Sequence, residues 1–334
     1  MSTDEHEVEQ TRRTVSRPRD TRHPPRRDDD ARASVPLPSV VRFSAERRAE
    51  IAAAVRRGTL VRVRRGVYAA PPASVAPPAR RRRDAVVARA VALAGRLTTD
   101  YWFSHSTAAV LHGLWTWRLE DEVHVTQLGN PSVRRTDSGF RRHWTALPES
   151  DRCELDGLPI TSLERTIVDC ARSLSPTAGV VVADSGLRAG ADVQKVTAVL
   201  DAAAGGRGVQ RARRVLAEAD PRSESPGESV VRWLVVDAGL PHPEPNLAVT
   251  TWRGTYRLDV AWATYRVAVE FDGAVKYSGG EYGDPRDRLL AEKTRHDALT
   301  EAGWFVLRVT WNDLAEPDVL VRRIRAALAR RSAR

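Results

Sequence analysis

Apolar and polar positions change rhythm several times along these 334 residues. From Ser44 the run AERRAEIAAAVRR has helical period, with Ser44 placed as N-cap and Gly58 as the stop. TLVRVRRGVYAAP follows as two short extended runs around Arg65-Gly66. An alanine-rich helix is predicted over Asp84–Leu97, and a further helix after Ser104, with Ala108, Leu111 and Leu114 on one face. Glu122–Thr126 and Phe140–Ala146 read as strands. Within Leu158–Leu174, Glu164 suits the first helical turn, and Ile167, Val168, Cys170, Ala171 and Leu174 form a buried stripe. Asp192–Ala219 reads as two helices broken at Gly205-Gly206, and Asp220–Pro226 as a linker.

Beyond the linker the rhythm becomes regular. A helix over Pro226–Ala238 precedes a strand at Asn246–Trp252. Two further strands lie in RLDVAWATYRVAVEFD, with a short turn at Ala263-Thr264. Then come a helix over Pro285–Ala302 stopped by Gly303, a strand over Trp304–Trp311, and an amphipathic helix over Pro317–Arg330. Strand alternation points Glu270 and Asp272 one way and Val267, Val269 and Phe271 the other. If the strands pair as an antiparallel hairpin, Asp259 lies beside Glu270, with Lys276 near enough to join them. Clustered carboxylates repel unless a cation or a proton compensates, and Mg²⁺ suits an all-oxygen site. Solvated, separate strand ends are the plainer alternative.

Composition adds a bias toward anionic partners. The formal charge is +10, and the window Arg42–Arg89 holds thirteen arginines against Glu46, Glu50 and Asp84. Such a window suits nucleic acid. Only Lys195, Lys276 and Lys293 are lysines, so a compositional preference for Arg accounts for the ratio, though not for the clustering. Residues 1–34 carry eight Arg and eight acids and almost no large apolar side chains, which predicts a disordered, mixed-charge tail. Cys153 and Cys170 form no CxxC pair, which argues against a structural zinc or a disulfide framework. His105, His112, His124 and His143 have a spacing that fits no metal motif, and they read as ordinary core or surface histidines. No apolar run is long enough to span a bilayer and the N-terminus lacks a signal-peptide core, so the expectation is a cytoplasmic protein with no membrane partner.

Two resemblances sharpen this reading. VRRGTLVRVRRGVYAA resembles the N-terminal domain of AbiEi-type antitoxins, whose wing pattern is met by Gly58, Leu60, Gly66 and Tyr68. The His-Ser-Thr-Ala-Ala and Ser-Leu-Glu-Arg-Thr segments resemble the middle region of the same proteins. Over about residues 224–330, GESVVRWLVVDAGL, RLDVAW, VAVEFDG, KYSG, EKTRHDALTEAGW and VLRVTWNDL together resemble an uncharacterised domain family related to very-short-patch repair (Vsr) endonucleases. That resemblance implies the α-β-β-β-α-β core of the restriction-endonuclease superfamily, with its PD-(D/E)xK signature. It makes Asp259 and Glu270 the metal-binding acids, Glu228 the acid of the first helix and Lys276 a displaced signature lysine. Asp272 stands where the signature has lysine, and the zinc-binding Cys/His set of Vsr enzymes is absent. Glu228 also completes a capping box with Ser225, so capping and metal binding both account for it.

The expected architecture is a multidomain α+β or α/β chain. It comprises a disordered tail (1–34), a basic, partial winged-helix-like module (35–80), a mixed α/β middle region (81–219) and a restriction-endonuclease-like domain (220–334). The expected function is a Mg²⁺-dependent DNA endonuclease or nuclease-like DNA-binding protein. Asp259, Glu270 and Lys276 would be catalytic, and Asp259, Glu270, Glu228 and Asp272 would be metal ligands. Arg62, Arg64 and Arg65 on the hairpin, with Lys293, Arg295 and Arg308 in the last domain, are candidate phosphate contacts. The alternative is a non-catalytic, antitoxin-like transcriptional regulator that binds DNA without metal. DNA is the expected partner in either case, joined by a cognate toxin or a repair protein.

Overall fold

The structure, a computed structural model, describes residues 35–71, 76–97, 99–129, 140–273 and 285–332. Residues 1–34 and Lys276 lie outside the described residues. Among the described residues the chain is a mixed α+β protein with ten helices and three sheets.

The first sheet has the order β1-β3-β2, all antiparallel, from β1 (Val40–Arg42), β2 (Val61–Arg64) and β3 (Val67–Ala69). Helix α1 (Arg48–Arg56) begins four residues after the predicted cap. The Ser44 hydroxyl accepts from the Arg47 amide at 3.4 Å and closes a turn ahead of the helix rather than its first turn. Gly58 (φ 74°) ends the helix as expected, and Gly66 (φ 74°) turns the β2–β3 hairpin. Helix α2 (Pro78–Ala94) starts earlier than the alanine pattern suggested, because Pro78 presets the first helical turn and Arg80–Arg83 are helical too. Its Val86, Val87, Ala90 and Leu93 are buried.

The second sheet has the order β6-β5-β4-β8-β7. Its strands are β4 (Trp102–Phe103), β5 (Val123–Gln127), β6 (Phe140–Trp144), β7 (Arg152–Leu155) and β8 (Leu158–Thr161). β7 and β8 form a hairpin around Asp156 (φ 50°) and Gly157 (φ 76°), the Asp-Gly pair that a tight two-residue turn demands. Helices α2 and α3 (His105–Leu111) join β4, β5 and β8 in one core that includes Phe103, Leu111, Val125 and Ile160.

A four-helix layer comes next: α4 (Leu163–Ser173), α5 (Pro176–Arg188), α6 (Val193–Ala202) and α7 (Val209–Ala217). Ser162 caps α4 by accepting from the Arg165 amide, and Ser175 caps α5 in the same way from Ala178. The α6–α7 break falls at the predicted Gly205-Gly206. Helix α5 was not expected, since PTAGVVVADSGLR combines glycines with a valine run. Its start carries a Ser175 cap and Pro176, and its glycines sit where neighbours press in, Gly179 against Ala171 and Val215 and Gly186 against Ile167.

The C-terminal elements run α8 (Pro226–Asp237), β9 (Glu244–Thr251), β10 (Gly254–Trp262), β11 (Val267–Asp272), α9 (Pro285–Glu301), β12 (Phe305–Thr310) and α10 (Pro317–Ser332). The sheet order is β12-β11-β10-β9, antiparallel except for the parallel β11–β12 pair. Helices α8 and α10 cover one face through Val230, Val235, Leu320 and Ile324 against Val260, Val269 and Phe271. Helix α9 covers the other, with Leu299 against Ala261 and Ala268.

Asp220–Pro226 is not a loose linker. Ser223 is fully buried, and the Asp220 amide donates to Asp184 Oδ1 at 2.8 Å. Helix α8 serves two cores at once, with Val230 and Val231 facing the sheet and Trp233 set among α4, α6 and α7. Arg232 of α8 grips Asp184 of α5 with two bonds of 2.6 and 2.7 Å, both groups buried. On the far side Trp117 stacks on Trp311 at 6.0 Å.

Candidate metal-binding acids and basic surface

The acids foreseen on the sequence fall around β10, β11 and the start of α8. The paired register runs from Trp262↔Val267 to Val260↔Val269, so its continuation sets Asp259 opposite Glu270. At that point the Asp259 carboxylate takes over from the ladder and accepts the Phe271 amide at 2.8 Å. Glu228 stands in the first turn of α8, buried, in a reciprocal capping box. Its amide donates to Ser225 Oγ at 3.2 Å, and its carboxylate accepts from the Ser225 hydroxyl and from the Glu224 amide at 2.8 and 2.7 Å. Burial, and after it the charge of Asp259, raises the Glu228 carboxyl to about 7. Glu228 and Asp259 thus feel one another, and a bound proton relieves the repulsion between them.

Glu270 is held differently. Arg295 of α9 grips both its oxygens, with Nη1 at 2.9 Å from Oε2 and Nη2 on Oε1, and also donates to the Arg257 carbonyl at 2.8 Å. The guanidinium lies 5.6 Å from the centre of the Tyr256 ring. Arg295, expected to meet phosphate, is therefore engaged within the protein. Arg308 sits opposite Glu270 across the β11–β12 pair and bridges to Glu292 at 2.5 Å. Lys293 is exposed on α9, and Asp272 is half-buried at the end of β11. Among the described residues, no trio of ligand atoms within 4.8 Å of one another includes Glu228, Asp259, Glu270 or Asp272.

In its chemistry the Glu228–Asp259 pair fits Mg²⁺. The donors are hard oxygens, the count of one or two carboxylates is what Mg²⁺ takes from a protein, and a second positive charge would relieve the strain that a proton now relieves.

The basic window is largely exposed, though several of its arginines also hold partners within the protein. Arg42 donates to the Gly95 carbonyl, Arg82 to Leu119, Arg83 to Val110 and Arg89 to Asp121. Arg47 is paired with Glu50. On the hairpin Arg62 and Arg65 are exposed, whereas Arg64 lies over the Phe140 ring at 5.5 Å.

Three of the histidines meet in a way that their spacing in the sequence did not show. His105, His124 and His143 each bring one ring nitrogen within 4.8 Å of the others. No local spacing could show this, since the three lie on α3, β5 and β6 and meet through strand pairing.

Fold and site together define an arginine-rich, mixed α+β protein with an acid-bearing four-stranded sheet. It belongs to the family of the "Uncharacterized protein MT2308" and "Uncharacterized protein Rv2248" of two Mycobacterium tuberculosis strains. Both are 31% identical over 283 residues, spanning 83% of this chain and 95% of theirs. No family model matches the chain. Among solved structures, the RV2827C protein of M. tuberculosis matches with a TM-score of 0.33 and 17% identity, over 65% of this chain and 85% of that one. Among the described residues no helix is long and apolar enough to cross a membrane.

Proposed function

We propose that the chain is a Mg²⁺-dependent DNA endonuclease whose site lies on the C-terminal four-stranded sheet. The observation that carries this is Glu228 beside Asp259, the first raised to about 7 by burial and by the second. Strongly perturbed acids of this kind concentrate at functional sites. The element order α8-β9-β10-β11-α9-β12 supports a restriction-endonuclease-like, Vsr-like core, in which the first helix and the second and third strands carry the acids. Glu228, Asp259 and Glu270 occupy those three places.

Glu228 and Asp259 would hold Mg²⁺, which when bound supplies the charge that polarises a phosphodiester and favours an attacking water. Asp259 is fixed by the Phe271 amide, so its carboxylate is preorganised before DNA arrives. Arg295 holds both oxygens of Glu270 in place. Lys276 is proposed to offset charge developing on the phosphate. Exposed Arg62 and Arg65 supply sequence-independent affinity for the backbone, joined by Lys293, exposed on α9.

One observation favours a second reading, a DNA-binding regulator without catalysis: Glu270 already has its cation in Arg295. Purified protein incubated with supercoiled plasmid separates the two. Nicking that requires Mg²⁺ supports the endonuclease, whereas a gel shift unchanged by EDTA, without nicking in Mg²⁺, supports the regulator.

A further inference from the structure

His105, His124 and His143 form a cluster remote in sequence from the acids and unused by the proposed chemistry. His105 opens α3, His124 lies in β5 and His143 in the edge strand β6. The parallel β5–β6 register, with His124 opposite Arg141 and Thr126 opposite His143, sets both histidines on one face of the sheet. Nδ1 of His124 and Nε2 of His143 are 3.0 Å apart. The His105 ring stacks on His143, with centroids 3.7 Å apart and planes 17° apart.

The backbone is built to hold this group. The His124 amide donates to Thr107 Oγ1 at 2.9 Å and its carbonyl accepts from the Ser104 amide at 3.0 Å, so β5 is tied to the start of α3 on both sides. His105 itself adopts φ 53°, a left-handed conformation costing about 1–2 kcal/mol in a residue with a side chain. Outliers of that sort recur at ligand sites. Ser104, whose hydroxyl would ordinarily cap α3, makes no capping bond and meets His105 Nδ1 at 3.0 Å instead. That leaves Nε2 of His105 available, with its other nitrogen anchored as metal-bound histidines require. Nε2 of His124 is buried and has no hydrogen-bond partner, in a side chain belonging to a residue only 4 % exposed.

We infer that His105, His124 and His143 form a binding site for a divalent transition-metal ion of the Zn²⁺ type, separate from the acids of the C-terminal sheet. Three neutral nitrogen donors suit Zn²⁺, Co²⁺ or Ni²⁺ and do not suit Mg²⁺. Tetrahedral ligands at 2.0–2.1 Å from zinc lie about 3.3 Å apart, and the hydrogen bond that joins His124 Nδ1 to His143 Nε2 at 3.0 Å would be given up on ligation. Burial holds His105 well below its ordinary value and brings His124 and His143 to about 4, so all three are in the ligating, uncharged form near neutral pH. An ion lies in the plane of each imidazole it binds, so the His105–His143 stack must open on ligation. His143, only partly buried on an edge strand, is the ring placed to turn. The fourth position would face solvent and take water. Arg141 and Glu122, paired at 2.9 Å, flank the cluster, while Arg165 is itself neutralised by Asp169 and Asp151.

The test uses the untagged full chain, stripped with EDTA, dialysed, and titrated with CoCl₂. The expected result is visible d–d absorption that saturates at one Co²⁺ per chain and is discharged by one equivalent of ZnCl₂. His143→Ala should weaken binding at least roughly 10- to 100-fold, the loss that even an outer-shell change causes. Asp259→Asn should leave the absorption intact. His143→Gln provides a second variant, in which Zn²⁺ should fail to raise the melting temperature, whereas it should raise that of the wild type. Absence of a Co²⁺ band in the wild type, equal binding by the wild type and the histidine variants, or loss of the band in Asp259→Asn alone would each overturn the assignment.

Discussion

Glu228 ties stability to pH in a direction unusual for a carboxyl. Its value in the folded chain, about 7, lies above the ordinary 4.5, so the native state binds that proton more tightly than the unfolded chain does. The stabilisation is complete below the unfolded value and is lost as pH rises through about 7. In EDTA, wild-type protein should therefore melt at falling temperature from about pH 5 to about pH 8, a window set by those two values. Glu228→Gln should flatten that slope, and parallel wild-type and variant curves would assign the titration elsewhere. Asp184 and Arg232 make a second residue-scale case. Burial pushes the Asp184 carboxyl up while Arg232 pulls it down, and the pair survives through bidentate bonds with the Asp220 amide added. Asp184→Asn leaves a buried guanidinium without its counter-charge and should cost about 3–5 kcal/mol in denaturant unfolding. A loss below about 1 kcal/mol, typical of an exposed pair, would contradict the buried assignment.

Helix α8 is the element on which the site depends, because it carries Glu228 and joins two cores. Gly227 brings it close to the sheet: a Cβ there would run into the Phe271 ring. Gly227→Ala should destabilise by about 1–3 kcal/mol, as overpacked cores do. It should also disturb the Asp259–Phe271 amide bond, which a Phe271 amide exchanging faster with solvent in the variant would register. This element was readable in the sequence for a physical reason, since Ser225, Pro226 and Glu228 are cap, first-turn proline and capping-box acid within four residues. Gly303 and Pro317 punctuate the following elements equally well. Helix α5 was missed because its valine run favours a strand, although Ser175 and Pro176 start it as Ser225 and Pro226 start α8. The antiparallel pairing of β10 with β11 followed from strand alternation and a short turn. Arg295 reaching across from α9 to Glu270, and three histidines meeting from α3, β5 and β6, depend on tertiary packing that carries no local pattern.

At the scale of the whole molecule, the charge of +10 sets the terms on which any polyanion is met. Arg82, Arg83 and Arg89 hold backbone carbonyls and Arg89 also meets Asp121, while ten of the thirteen arginines in the window, Arg62 and Arg65 among them, are exposed. DNA affinity should fall roughly 10³-fold or more between about 50 and 200 mM salt, the loss for about six phosphate contacts, and a flat dependence would argue against phosphate-led binding. Arg62→Ala with Arg65→Ala should reduce the slope without changing Mg²⁺ dependence, because the hairpin and the acids sit on different sheets. The central claim, that Asp259 stands in a Mg²⁺-dependent phosphodiesterase site, is tested most directly by nicking of supercoiled plasmid in Mg²⁺. Wild type and Asp259→Ala would be compared after their circular dichroism spectra are shown to match. The account predicts nicking by the wild type and at least about 100-fold less by Asp259→Ala, the scale of losing a preorganised charge in a catalytic site. Equal nicking by both proteins, or none by either, would contradict it.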